Sequence, residues 1–422
     1  MNNLISDIKS RMILDSRGNP TVEAEVVVSG EVIGTASVPS GASTGSLEAH
    51  ELRDGGKHYH GKGVDQAVKN IDEHIKPELI GLDSSDQKLI DEKLIEIDGT
   101  NNKEKLGANS ILAVSMANLR AYAAAENKYL FEVIPKVYGK STLPIPLMNI
   151  LNGGAHADNN IDIQEFMIVP HGFNQYTDSL RAGVEIYHIL KDKLKKDKML
   201  TNVGDEGGFA PNLQSSEVAL EIIIEAINLA GYIPGQEVSL ALDVASTELY
   251  NDGKYHIEGK KLSSKEMTSF LTDLVNKYPI ISIEDGIAEN DWSGWEHLTH
   301  TLGSNIQLVG DDLFVTNESI LSQGVKANCA NSILIKLNQV GTFTETINTI
   351  KYAKKNKYTS VISHRSGDTE DSFISHLAVG VGCGQIKTGA PARSERTAKF
   401  NELIRLSEKL GDSTFDNSSW KI

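Results

Sequence analysis

Six titratable side chains in the second half of the chain each stand at the end of a short apolar run. Asp243 follows Ser239-Leu-Ala-Leu242, Glu284 follows Ile280-Ile-Ser-Ile283, and Asp311 follows Ile306-Gln-Leu-Val-Gly310. Lys336 follows Ser332-Ile-Leu-Ile335, His364 follows Ser360-Val-Ile-Ser363, and Lys387 follows Gln385-Ile386. Loops after buried strands are polar, and a structural salt-bridge network is open to any single member of the set. Three carboxylates and two lysines at successive run ends are harder to explain that way. Convergent Asp243, Glu284 and Asp311 would make a hard-oxygen site suited to Mg2+, and their mutual repulsion needs a cation to offset it. The chain has neither His-Glu-x-x-His nor a cysteine pair, which disfavours zinc.

Lys336 and Lys387 are expected across the mouth from those acids. A lysine acts as a general base only when neutral, and a neighbouring ammonium together with a divalent cation would lower its pKa. Desolvation in Leu334-Ile-Lys-Leu337 pushes the same way. Such a lysine suits removal of a weakly acidic proton beside a carboxylate.

Two more acids draw attention. Glu165 and Glu206 do not sit in sequence that looks like helix surface, and Glu206 belongs to the glycine-dense loop 202–212. Glycine lets backbone approach a ligand closely. Neighbouring carboxylates such as Asp205 and Glu206 cannot both ionise cheaply, so one could stay protonated and serve as an acid. The small, hydroxyl-rich run 37–45 is either an ordinary loop or a lid that offers Ser43 to a metal. Arg365 and Ser366, just past a strand, make a reasonable phosphate grip. Gly56-Lys-His-Tyr-His-Gly-Lys62 mimics a phosphate loop, but Gly63 replaces the Ser or Thr that would hold magnesium and no buried strand precedes it.

These residues need a scaffold that aims strand ends at one face. From Asp243 to Lys387 the six ends spread over 144 residues, about 29 per interval; a (β/α)8 barrel of about 250 residues needs about 31 per unit. Helical patterns at 213–230 and 265–277 fill intervals, and apolar runs at 145–151 and 166–169 raise the strand count to eight. The prediction is an α/β chain with a parallel TIM-type barrel over 139–422. A smaller α+β domain over 1–138 precedes it, with a valine-rich hairpin at 21–38 and a helical stretch over 63–134. Pro135, Gly139, Pro144 and Pro146 mark the linker.

Composition excludes several classes. With 23% charged and 40% hydrophobic residues the chain reads as folded and globular. A formal charge of −16 argues against nucleic acid or an anionic membrane as partner. Cys329 and Cys383 read as reduced, buried thiols. Residues 1–11 lack a signal-peptide core, and Glu221 and Glu225 interrupt the most apolar stretch, so no membrane insertion is expected. The expected location is cytoplasmic, with a further cell-surface or secreted pool left open.

Taken together, the segments resemble the enolase family over nearly the whole chain. The resemblance is carried by Ile13-Leu-Asp-Ser-Arg-Gly-Asn-Pro-Thr21, Val38-Pro-Ser-Gly-Ala-Ser-Thr-Gly45, Lys105-Leu-Gly-Ala-Asn109, Asn152-Gly-Gly-Ala-His-Ala-Asp158 and Gln164-Glu-Phe-Met-Ile168. It continues through Gly204-Asp-Glu-Gly-Gly208, Ser282-Ile-Glu-Asp285, Gly310-Asp-Asp312, Leu334-Ile-Lys-Leu-Asn-Gln339, Ser363-His-Arg-Ser-Gly367 and Lys387-Thr-Gly-Ala-Pro391. The resemblance implies reversible dehydration of 2-phosphoglycerate to phosphoenolpyruvate. Lys336 would be the base and Glu206 the acid. Asp243, Glu284 and Asp311 would hold one Mg2+, and Ser43 would help hold a second that arrives with substrate. Arg365 and Ser366 would grip phosphate, Lys387 would meet the carboxylate, and His156, Gln164, Glu165 and His364 would line the pocket. It also implies a homo-oligomer, a dimer or an octamer built from dimers. Asp368 in place of the usual Glu, Ser375-His376 in place of Ala-Asp, and Met12 depart from the family pattern without touching a residue assigned to chemistry.

Overall fold

The structure, a computed structural model, describes residues 3–41, 45–411, 414–415 and 420. Ser43 lies outside the described residues.

The chain opens with an antiparallel sheet of β1 (Ile5–Leu14), β2 (Pro20–Val28) and β3 (Val32–Ser37), ordered β1-β2-β3. The hairpin read over 21–38 is β2 with β3. β1 escaped the reading because a bulge between Ile5 and Asp7 breaks the two-residue alternation, which leaves buried Ile5 and Ile8 three apart. Val22, Ala24, Val26 and Val28 are buried on β2. The sheet packs on the helix Ala108–Ala125, and a Cβ on Gly34 would meet the Ala121 nitrogen at 2.2 Å. Small residues at Gly34, Ala117 and Ala121 therefore set how closely strand and helix approach.

Asp91, buried on the helix Gln87–Asp98, ties this region to the barrel. Its carboxylate accepts from Ser115 Oγ at 2.6 Å, and from the backbone N and Oγ1 of Thr344 at 2.8 and 2.5 Å. Burial raises its pKa from 3.8 to about 6 even though these donors pull it down. A carboxyl raised on folding favours the folded state while protonated, and that advantage is lost as pH climbs from about 4 through about 6. The wild type should therefore lose about 3 kcal/mol relative to Asp91→Asn between pH 4 and pH 7. Denaturant melts of both proteins across that range check this; parallel pH dependences would refute it.

The second part is a closed eight-stranded barrel of β4 (Ile145–Asn152), β5 (Glu165–Val169), β6 (Ser239–Asp243), β10 (Ile280–Glu284), β11 (Gln307–Gly310), β12 (Ser332–Ile335), β13 (Thr359–Ser363) and β14 (Gln385–Lys387). A small antiparallel sheet of β7 (Tyr250–Asn251), β8 (Lys254–Ile257) and β9 (Lys260–Leu262) is inserted between β6 and β10. The barrel is not wholly parallel, as the sequence had suggested: β5 runs antiparallel to both β4 and β6. The physical reason is the connection. Residues 153–164 between β4 and β5 carry a short 3-10 turn, Gly154–His156, and no crossover helix of the kind that usually returns a chain for parallel pairing. The two helices Tyr176–Lys196 and Ser216–Leu229 then both fall between β5 and β6.

Elsewhere strand and helix alternate. Side chains of Ser263, Asp291, Asn317 and Thr342 cap the helices that begin at Ser264, Trp292, Glu318 and Phe343. No helix among the described residues is long and apolar enough to cross a membrane.

Candidate active site

The barrel aims its charged strand ends at one mouth. Asp243, Glu284 and Lys387 are the last residues of β6, β10 and β14, while Asp311, Lys336 and His364 directly follow β11, β12 and β13. Reversal of β5 brings its first residue to the same rim. Glu165 pairs with Asn152 on one side and Asp243 on the other, and Asp243 pairs with Glu284. One cavity at this mouth is lined by every described residue predicted for the site except Glu284, which lies in contact with Lys387.

The two lysines do not face the acids from across the mouth; they lie among them. Lys387 Nζ sits 2.8 Å from Glu284 Oε1, 3.0 Å from Asp243 Oδ2 and 3.2 Å from Glu165 Oε2. Burial disfavours its charge, but Asp243, Glu165 and Glu284 together hold it well above the ordinary lysine range. Lys336 Nζ donates to Asp311 Oδ2. Burial is the largest single influence on Lys336 and pushes it down, as the sequence suggested, yet the Asp311 and Glu284 carboxylates together turn the net shift upward. Arg365 and the neighbouring Lys387 ammonium push it down as well, and the downward push expected of a divalent cation would add to theirs. The Lys336 side chain is 13% exposed and turned into the cavity, not out to bulk solvent.

Asp243, Glu284 and Asp311 offer oxygen donors with more negative charge than the site can carry alone. Glu284 is pushed well above the usual carboxylate range by burial and by Asp243 beside it. Buried, hard and overcrowded, this donor set fits a divalent cation. In the structure these acids close on lysines, not on one another. The compact groups of possible ligands among the described residues are Asp285 with Asp311 and Asp312, and His156 with Glu165 and Glu206.

The second group surrounds Glu206. Its loop folds back on β4, where Phe209 N donates to Ile150 O and Asn152 N to Phe209 O, and a Cβ on Gly204 would lie 2.4 Å from His156 O in the turn beyond. Asn149 Nδ2 donates to Glu206 Oε2 at 3.0 Å, and His364 Nε2 lies 3.3 Å from Oε1. The crowded partner of Glu206 is Glu165, not the adjacent Asp205. Glu165 is raised far above the carboxylate range by burial and then by Glu206, while Glu206 is kept low against its burial by His364 and His156. The pair thus shares one proton, held on the Glu165 side. Gln164 Nε2 reaches Asp243 Oδ2 at 3.4 Å, so it joins the two acid groups.

Arg365 and Ser366 lie on the strap after β13, which the N-terminal loop meets through paired backbone bonds between Ser40 and Gly367. Three contributors were not predicted. Glu48 binds the Arg365 guanidinium through both nitrogens, at 2.9 and 3.2 Å. Gln339 Nε2 donates to Asp311 Oδ1 at 2.9 Å and to Glu48 Oε1 at 3.2 Å. Asp285, with φ of 41°, accepts from the backbone nitrogens of Asp311 and Asp312 at 3.0 and 2.8 Å. The available signals were weak: Asp285 and Gln339 sit inside quoted motifs, and Glu48 lies three residues past the 37–45 loop.

Comparison with known families agrees with this geometry. Residues 5–134 match the enolase N-terminal domain, and residues 140–419 match the enolase C-terminal TIM barrel domain. With nearly its whole length matched and its acidic barrel mouth intact, the chain belongs to the enolase family.

Proposed function

We propose that the protein is a phosphopyruvate hydratase that interconverts 2-phospho-D-glycerate and phosphoenolpyruvate plus water. The observation that carries this is the placement of Lys336 and Glu206 on one cavity with Asp243, Asp311 and Arg365. Lys336 Nζ takes the proton from the carbon bearing the phosphate and leaves its electron pair delocalised into the carboxylate. The one proton shared by Glu165 and Glu206 then passes through Glu206 to the departing hydroxide, which leaves as water while the double bond forms and both carboxylates are left ionised. Arg365, oriented by Glu48, and Ser366 grip the phosphate, and Lys387 meets the carboxylate. His156, Gln164, Glu165 and His364 shape the pocket. Asp243, Glu284 and Asp311 would hold one Mg2+, and Ser43 would share a second with the substrate. Bound metal supplies charge to offset the growing negative charge on the carboxylate, along with the acid charge that otherwise keeps Lys336 protonated.

In this reading the domain spanning 1–138 caps the barrel of 139–422, and the protein works in the cytoplasm as a dimer or a dimer-based octamer. Turnover of 2-phosphoglycerate, followed by the ultraviolet absorbance of phosphoenolpyruvate, should require Mg2+ and vanish on chelation. Preferential turnover of an unphosphorylated 2-hydroxy acid would instead point to a mandelate-racemase-like relative.

A further inference from the structure

We propose that Arg396 is a positioning residue that locks His364 in its Nε2–H form and so keeps an N–H donor trained on Glu206. The role in catalysis rests on the reading of Glu206 as the proton donor; the lock itself rests on geometry.

Arg396 lies in the first turn of the last helix, Ser394–Leu410, with its side chain fully buried. Nη1 stands 2.6 Å from His364 Nδ1 and 2.5 Å from Arg365 O. Nη2 stands 2.6 Å from Ser366 O and 3.2 Å from Asp205 O. A guanidinium has donors and no acceptor, so His364 Nδ1 must accept. In a neutral ring the proton then resides on Nε2, the nitrogen that faces Glu206 Oε1 at 3.3 Å. A charged ring would set N–H against N–H at Arg396. Burial, with Arg396 acting in the same direction, pushes the imidazole down to about 4, in keeping with a neutral ring. Glu395 Oε1, 3.4 Å from Nε, and Asp368, 3.9 Å from Nη1 and itself held by Lys399 at 2.6 Å, supply the countercharge.

The tautomer has a chemical consequence. With the proton on Nδ1, Nε2 would offer a lone pair at Glu206 and could divert the proton that must pass from the Glu165–Glu206 pair through Glu206 to the leaving group. With the proton on Nε2, His364 can only donate to Glu206. The same guanidinium also fixes the carbonyls of Arg365, Ser366 and Asp205, so the phosphate grip and the acid share one anchor.

The test is 15N NMR of the full-length protein labelled at histidine, at pH 7 without substrate. The His364 signal is identified as the one missing from His364→Gln. The expected result is one fixed tautomer, with Nε2 pyrrole-like and Nδ1 pyridine-like. Arg396→Met should give an averaged or inverted pattern and lower kcat about 100-fold with a smaller change in KM. Arg396→Lys, which keeps a donor, should restore the fixed tautomer. A charged or Nδ1–H ring in the wild type would overturn the proposal even if Arg396→Met failed to fold. So would an unchanged His364 pattern in a folded Arg396→Met. Failure of the wild type to turn over 2-phosphoglycerate would count against the role of Glu206 and leave the tautomer result standing.

Discussion

Lys336→Ala is expected to abolish exchange of the substrate's α-proton with solvent deuterium and to cut turnover by about 100- to 10,000-fold, the usual contribution of a positioned general base. Glu206→Gln is expected to cut dehydration to a similar degree while exchange continues. The contrast follows from position. Lys336 touches Asp311 on one side of the mouth, whereas Glu206 sits with Glu165, His156 and His364. Removing the amine deletes the first proton transfer and with it everything downstream. Removing the carboxyl of Glu206 deletes only the exit of hydroxide, and the glutamine keeps the side-chain volume facing Asn149 and His364. Proton NMR in deuterated buffer, alongside absorbance of phosphoenolpyruvate, separates the steps. Near-normal exchange by Lys336→Ala would show that another group is the base.

Much of this arrangement is legible from sequence because it is local. β12 is four buried residues, Ser332 to Ile335, and a charge placed directly after them has to sit at the barrel rim. The same logic locates Asp243, Glu284, Asp311, His364 and Lys387. The reversal of β5 was readable in principle, since the stretch between Asn152 and Glu165 has no helical pattern. What could not be read were contacts between distant segments. Glu48 meets Arg365 across 317 residues and Gln339 across 291, and nothing near either residue announces the meeting. The charge state of Lys336 was only partly legible for the same reason. Its immediate neighbours are apolar and push the pKa down, but the carboxylates that turn the shift upward, Asp311 and Glu284, belong to other strand ends, Asp311 being 25 residues away. Glu48, Gln339, Asp311 and Lys336 form one hydrogen-bonded chain from the N-terminal region to the proposed base. A reading confined to strand ends sees only its last two members.

Lys387→Met should be the most destabilising single change at the mouth, lowering the stability of the metal-free protein by about 3–5 kcal/mol. The ammonium sits within 3.2 Å of three carboxylates, and its side chain is 3% exposed, so solvent cannot replace it. Methionine keeps the length and the apolar stem but leaves Glu165, Asp243 and Glu284 to face one another in a buried site. A divalent cation on the same acids offsets part of that repulsion. Mg2+ should therefore raise the Tm of Lys387→Met more than it raises that of the wild type. Thermal melts with chelator and with excess Mg2+ measure both effects in one experiment. If the variant melts like the wild type under chelation, the ammonium is not what holds these acids together. If Mg2+ stabilises the two proteins equally, Asp243 and Glu284 do not share a cation, and the metal site must be sought at Asp285, Asp311 and Asp312 instead.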